Sequence, residues 1–321
     1  MVFALIMFIT GYNMLKDVLV TGAAGYIGSN ICKQLKNRGY KVYALDLKYP
    51  KHKYYDDFIK INYGSRTIDL KLFMTGYNIK NVIHCAAQSL VGPSIQNPEI
   101  YYKNNVTELG RFLQTCKEVG VEDLVFISSA AVYYPSNTEL NELSLTIPQN
   151  PYGRTKLIGE MMVQDSGLRY RNLRLFNVCG SDDGELGQEV DATHLISVAV
   201  MKKLEENKLI INGNNYKTND GTCVRDYVHV VDIANAAIMS LENLNCTYMT
   251  MNVCSGNPMS NKQIADKVGV QYEYGLTRKG DPDTLFGSNA LIKNILEWKP
   301  RYTLEQMIES TEKWYNDKII M

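Results

Sequence analysis

The segment Thr21-Gly-Ala-Ala-Gly-Tyr-Ile-Gly28 limits the folds open to this chain more than any other. Glycines at 22, 25 and 28 favour a tight turn whose backbone can approach a ligand closely. Before it, Asp17-Val-Leu-Val-Thr21 is a short apolar run that suits a buried strand. After it, a helix is predicted from about Tyr26 to Arg38. It stops at Gly39, a residue suited to the left-handed position past a helix end. Lys41 to Asp46 reads as the next strand and ends on a carboxylate about twenty residues past the loop. Strand, glycine loop, helix, strand and acid together predict a dinucleotide site. The helix N–H groups would face a pyrophosphate, and Asp46 would accept hydrogen bonds from the adenine ribose. A carboxylate there repels a 2′-phosphate, so NAD is favoured over NADP. The contacts predicted at this end are Gly22, Gly25, Tyr26, Ile27, Gly28 and Asp46.

Further strands are predicted at Asn81–Ala86, Asp123–Ser129 and Arg171–Asn177, with helices at Tyr101–Val119 and Tyr152–Asp165. Short apolar strands alternating with helices imply an α/β fold, a doubly wound parallel sheet of Rossmann type. After Asn177 the alternation breaks. Gly180 to Asp191 is polar and loop-like, and a smaller C-terminal α/β lobe for substrate is predicted beyond it. The division is residues 14–178 for the cofactor and 179–321 mainly for substrate, with about 222–256 returning to the first. Residues 1–13 include the apolar run Val2 to Ile9, too short to span a bilayer and lacking a basic flank. They are read as an extension upstream of Met14.

Lys+Arg and Asp+Glu are equal at 34, which argues against a nucleic-acid binder. None of the seven cysteines forms a C-x-x-C pair, and the four histidines have no metal-ligand spacing. Reduced thiols, no metal, no membrane partner and a cytoplasmic location are expected.

Ser128-Ser129 ends a strand, and Tyr152 and Lys156 follow in Asn-Pro-Tyr-Gly-Arg-Thr-Lys. Tyr and Lys four apart share one helix face. An ammonium beside a phenol favours the phenolate, and the positive nicotinamide of NAD would push the same way. Such a phenolate can take a proton from a sugar hydroxyl as hydride leaves the same carbon, with Ser129 hydrogen-bonding that hydroxyl. Ser129, Tyr152 and Lys156 are the predicted catalytic residues.

In that order, T-G-A-A-G-Y-I-G, V-I-H-C-A-A, S-S-A-A-V-Y and N-P-Y-G-R-T-K resemble the extended short-chain dehydrogenases/reductases. The match runs from Asp17 to Trp314. The segment Asn212 to Asp232, Arg-Leu-Phe-Asn-Val-Cys-Gly and Arg278-Lys-Gly-Asp281 are similar to motifs of UDP-glucose 4-epimerases. The resemblance implies bound NAD, a UDP-sugar substrate and a homodimer. It adds Ala86, Ala87 and Asn105 to the cofactor contacts, beside Tyr152 and Lys156. It implies that Asn177, Arg225 and Arg278 hold the UDP diphosphate and ribose, that Asp281 binds the uridine ribose, and that Leu285 gates the sugar pocket. Arginine forks match phosphate oxygens. Arg225 paired with Asp226 or Asp232, and Arg278 as a solvated loop charge, is the structural alternative.

Related dehydratases carry Asp-Glu where this chain has Ala130-Ala131. Without those acids, elimination is disfavoured and return of hydride to the opposite face remains, which is 4-epimerisation. The chain departs from the family at three further places. Asn62 and Tyr63 stand where relatives have an acid near adenine, Ser89 stands where relatives have Lys, and Leu285 stands where an aromatic gate excludes an N-acetyl group. UDP-N-acetylglucosamine and UDP-glucuronate therefore stay open as substrates. A catalytically silent NAD-binding scaffold is the reading from another class.

Overall fold

The structure is a computed structural model and describes residues 17–190, 192–278 and 281–319. The expectation for residues 1–13 lies outside the described residues, as do Lys279 and Gly280.

In chain order the first unit runs β1 (Asp17–Thr21), α1 (Tyr26–Asn37), β2 (Lys41–Asp46), β3 (Asp57–Lys60), α2 (Thr67–Gly76) and β4 (Asn81–His84). It continues with α3 (Val91–Gln96), α4 (Pro98–Tyr102), a π-helical turn (Lys103–Glu108), α5 (Leu109–Glu118), β5 (Asp123–Ser129), α6 (Pro151–Asp165) and β6 (Arg169–Leu175). The later elements are β7 (Asn177–Cys179), α7 (Leu195–Leu204), β8 (Leu209–Asn212), β9 (Val224–His229), α8 (Val230–Glu242) and β10 (Met249–Val253). Last come β11 (Pro258–Ser260), α9 (Asn261–Val268), β12 (Tyr272–Gly275), β13 (Thr284–Leu285), α10 (Ala290–Leu296) and α11 (Leu304–Ile319).

Seven strands form one parallel sheet in the order β10-β6-β5-β4-β1-β2-β3. The order reverses between β1 and β4, and a crevice opens where the chain leaves those strands in opposite directions. Val18, Leu19, Val20, Val82 and Ile83 are fully buried because helices cover both faces. One apolar layer joins β1, α1 and α8, and the other joins β4, α2 and α5.

The helix starts follow local chemistry. Asn150 caps α6 by accepting from Gly153 N at 2.8 Å, and Pro151 fills the first helical position. At the end of α1, Gly39 takes φ +81°, as its place in the sequence requires.

Three element bounds differ from the sequence reading. β4 ends at His84, and Cys85 to Ser89 turn off into the cleft wall. The predicted strand Arg171–Asn177 is β6, from Arg169 to Leu175, and Phe176 then carries the chain across. Phe176 N donates to Val253 O at 3.2 Å, and Asn177–Cys179 joins a second sheet against Tyr227–His229. The helix read from Tyr101 to Val119 contains the π turn.

In that second sheet β9 is central, paired with β7, β11 and β13. Within 222–256, α8 and β10 lie on the large sheet, whereas β9 stands on the substrate side. A separate apolar cluster of α7, α9 and α11 supports this smaller lobe. Among the described residues no helix is long and apolar enough to cross a membrane, and no cluster of metal-ligating side chains is present. The cysteines are free thiols, all buried except the partly exposed Cys85.

Candidate active site

One cleft of about 810 Å³ runs from the glycine loop, past the ends of β4 and β5, to the lobe formed around β9 and β13. Its size is ordinary for a cofactor and substrate together. Gly22 adopts φ +70°, and a Cβ there would lie 2.8 Å from Ala86 N. A Cβ on Gly28 would collide with Gly22 O. These glycines are therefore needed for the turn itself, and they leave a backbone cradle at the start of α1. Gly22, Gly25, Tyr26, Ile27, Gly28, Asp46, Ala86 and Ala87 all line the cleft. Asp46 accepts from Ala24 N at 3.0 Å and Lys48 N at 3.1 Å, so its carboxylate is already oriented. The cradle and the oriented carboxylate fit a dinucleotide.

Asn105 is placed differently. It is buried under the cleft wall, where its Oδ1 accepts from Gln88 N at 2.8 Å. Its Nδ2 donates to Gln88 O at 2.9 Å and to Thr155 Oγ1 at 3.0 Å. It pins the loop after β4 to α6, and its neighbour Asn104 reaches the cleft. The π turn sets this register, and such turns often occur at functional sites. Of the family departures, Tyr63 and Ser89 line the cleft, while Asn62 closes a local turn with Gly64 and Ser65.

Ser129, Tyr152 and Lys156 meet on the cleft floor. Ser129 accepts from Ala131 N at 3.1 Å. Lys156 Nζ donates to Ile127 O at 2.7 Å and lies 4.9 Å from the Phe126 ring centre. Burial pushes Tyr152 up to about 12, and its hydrogen bond with Ser129 acts against that rise. Burial also brings Lys156 down to about 8. In the free cleft, burial thus outweighs the depressed phenol anticipated from the Tyr–Lys spacing. Beneath them His84 is buried between Phe112 and Phe126, and burial holds it down to about 3, a neutral ring.

At the far end Asn177, Arg225, Asp281 and Leu285 line the cleft. Arg225 makes no ion pair among the described residues. Its Nη1 donates to Val224 O at 2.8 Å. Asp226 is occupied by Ser255 and Gly256, and Asp232 by Arg301 N and Tyr302 N, so neither neutralises Arg225. Arg278 does not line the cleft. It is exposed beside Asn212, 3.2 Å from its side-chain amide.

Sequence reasoning missed Gln188, Glu189 and His194, which also line the cleft. Gln188 Nε2 and His194 Nδ1 are 2.8 Å apart, and Ser197 Oγ donates to Gln188 Oε1 at 2.6 Å. The available signal was a polar run ending at the start of α7.

The profile of the NAD dependent epimerase/dehydratase family matches residues 18–254. The chain belongs to that family. It is 36% identical over 319 residues to a UDP-glucose 4-epimerase of Halalkalibacterium halodurans, covering 94% of this chain and 96% of the relative. Among solved structures of this epimerase/dehydratase family it resembles UDP-glucose 4-epimerase from Brucella ovis in complex with NAD. That likeness has TM-score 0.87 and 36% identity, and covers 92% and 97% of the two chains. The UDP-Glc/GlcNAc 4-epimerase of Campylobacter jejuni is similar at TM-score 0.80 and 31% identity, over 94% and 99%.

Proposed function

We propose that this protein interconverts UDP-glucose and UDP-galactose by inverting carbon 4 of the sugar, with NAD as a resident cofactor. The observation that carries it is one cleft joining the glycine cradle to Ser129, Tyr152 and Lys156, with Ala130-Ala131 where an eliminating enzyme needs acids. Gly22, Gly25 and Gly28 hold the pyrophosphate, and Asp46 the adenine ribose. When bound, NAD supplies the reversible two-electron oxidation of carbon 4. Tyr152 Oη takes the proton of the carbon 4 hydroxyl, and Ser129 Oγ orients that hydroxyl. The Lys156 charge opposes the burial that favours a neutral phenol. Tyr152 returns the proton once the keto sugar has turned its other face. Asn177 and Arg225 hold the diphosphate, and Asp281 the uridine ribose. Arg278 serves the diphosphate by swinging in from its exposed place.

The test is conversion of UDP-galactose to UDP-glucose by purified protein without added NAD. Conversion establishes both the reaction and the retained cofactor. Failure while bound NAD is found overturns the choice of substrate and points to another nucleotide sugar.

Leu285 favours a second substrate class. It forms part of the cleft wall with a side chain smaller than an aromatic ring. UDP-N-acetylglucosamine is accepted on this reading, and no detectable turnover of it sinks the idea. We further propose a cytoplasmic homodimer, supported by exposed apolar Ile95, Ile100 and Met161 on α3, α4 and α6. Sedimentation as a monomer at micromolar concentration overturns the dimer.

A further inference from the structure

The glycine turn is held from both sides through one peptide group. The N–H of the Ala23–Ala24 peptide donates to Asp46 Oδ2 at 3.0 Å. The carbonyl of the same peptide, Ala23 O, lies 2.9 Å from Nε2 of His52, a residue of the loop between β2 and β3. His52 is 8% exposed and Ala23 is fully buried, so the ring is the partner of that carbonyl and bulk water is not. The other ring nitrogen, Nδ1, accepts from Tyr54 N at 3.1 Å. A backbone carbonyl can only accept and a backbone N–H can only donate. The two bonds therefore fix one form of the ring, neutral and with its proton on Nε2. A second proton, on Nδ1, would face the Tyr54 N–H and break the bond that seats the ring.

We propose that His52 is a positioning residue for the cofactor: as a neutral ring it locks the Ala23–Ala24 peptide of the glycine turn, and on protonation it lets go, so that the cradle releases NAD faster in acid. His52 does not line the cleft and acts through the turn. The inference rests on the resident NAD of the reading above and not on the choice of sugar.

The surroundings favour the neutral ring. Burial lowers His52 below its ordinary value, and the Ala23 carbonyl and the charge of Glu185 act against that. Glu185, from the loop after β7, is already committed. It accepts from the Tyr54 hydroxyl and pairs with Lys33 of α1 at 2.7 Å. Lys33 also pairs with Asp182 at 3.1 Å and lies 5.6 Å from the Tyr54 ring centre. Within the loop itself, Lys51 reaches Glu189 at 3.0 Å, Lys53 is exposed, and Asp56 is taken by Lys36 at 2.7 Å and Val42 N at 2.8 Å. Tyr54 stacks on the imidazole and Tyr55 meets it edge-on, with ring centres 5.6 and 5.9 Å away. Among the described residues no carboxylate bonds to the ring.

The test follows NAD release and the ring together. Holoenzyme carrying labelled NAD is chased with unlabelled NAD from about pH 7.5 down to about pH 5, across the ordinary histidine range. The protonation state of His52 is read from its 15N ring resonances. His52→Gln keeps an N–H donor for Ala23 O and has no proton to gain, whereas His52→Leu removes the donor. Wild-type release should quicken about five- to tenfold as His52 protonates, the equivalent of one lost hydrogen bond. His52→Gln should keep the neutral wild-type rate throughout. His52→Leu should release about five- to tenfold faster at neutral pH and stay flat. If the leucine variant does not fold, the glutamine variant still decides. Titration of His52 with no change in release, a glutamine variant that quickens as wild type does, or a ring with its proton on Nδ1 at neutral pH overturns the proposal. Wild-type protein that purifies without NAD overturns the resident cofactor instead. The three proteins are then compared by NAD titration, where equal affinities at neutral pH overturn the role of His52.

Discussion

Tyr26, the first residue of α1, donates its hydroxyl to the carbonyl of Gly180 at 2.5 Å. The bond ties the dinucleotide cradle to the loop that carries Gln188 and Glu189 into the cleft. Tyr26→Phe removes it and leaves the ring in place. The expected loss is about 1 kcal/mol of stability, with a raised KM for the nucleotide sugar and a smaller change in kcat. Denaturant unfolding and steady-state kinetics read both, and an unchanged midpoint with unchanged KM would show the tether to be idle.

Tyr152→Phe deletes only the hydroxyl proposed as the proton acceptor. Turnover should fall by roughly 10²- to 10⁴-fold. NAD should still co-purify, since the glycines and Asp46 are untouched. Release and quantification of bound cofactor checks the second half. Wild-type turnover would reassign the proton transfer and favour a different base.

Lys156 leaves a pH signature in stability. Its folded pKa, about 8, lies below the ordinary lysine value of 10.5, because burial disfavours the ammonium. Between those values the unfolded chain binds the extra proton, so stability rises with pH. Lys156→Met abolishes this contribution. The stability of wild type relative to Lys156→Met should therefore climb from pH 8 to 10.5 and be flat below pH 7. Urea midpoints of the two proteins at matched pH measure it, and a constant difference across that window would contradict the burial of a charged lysine.

Leu285 on β13 lines the cleft and is the proposed gate of its sugar end. Leu285→Tyr should reduce kcat/KM for UDP-N-acetylglucosamine far more than for UDP-glucose. Equal effects on both substrates would move the gate elsewhere.

The first βαβ unit could be read almost residue by residue, because its signals are local. Gly22, Gly28 and Gly39 are demanded by backbone sterics alone, and β1 and β2 have the bounds read from sequence. Tyr152 and Lys156 were legible because helical spacing fixes their common face. The bonds of Asn105 to Gln88 and Thr155 were not legible, since they join distant segments and nothing in Lys103–Glu108 announces the π turn that contains it. The crossing at Phe176 depends on its bond to Val253, far along the chain. Gln188 and His194 owe their place to one another and to Ser197, a tertiary arrangement that periodicity does not encode.

The outer position of β10 governs how the chain can be assembled. Its residues Met249–Val253 pair with Arg171–Leu175, so the cofactor sheet gains its last strand only after β7, α7, β8, β9 and α8 have been made. During synthesis the ribosome must deliver more than seventy further residues (176–248) before the edge of β6 is covered. Until then that edge offers unpaired backbone groups to any passing strand. Non-local pairing of this kind slows folding and ties the two lobes into one cooperative transition. A fragment ending at residue 178 should accordingly aggregate, whereas the full chain should unfold in a single step in which both lobes are lost together.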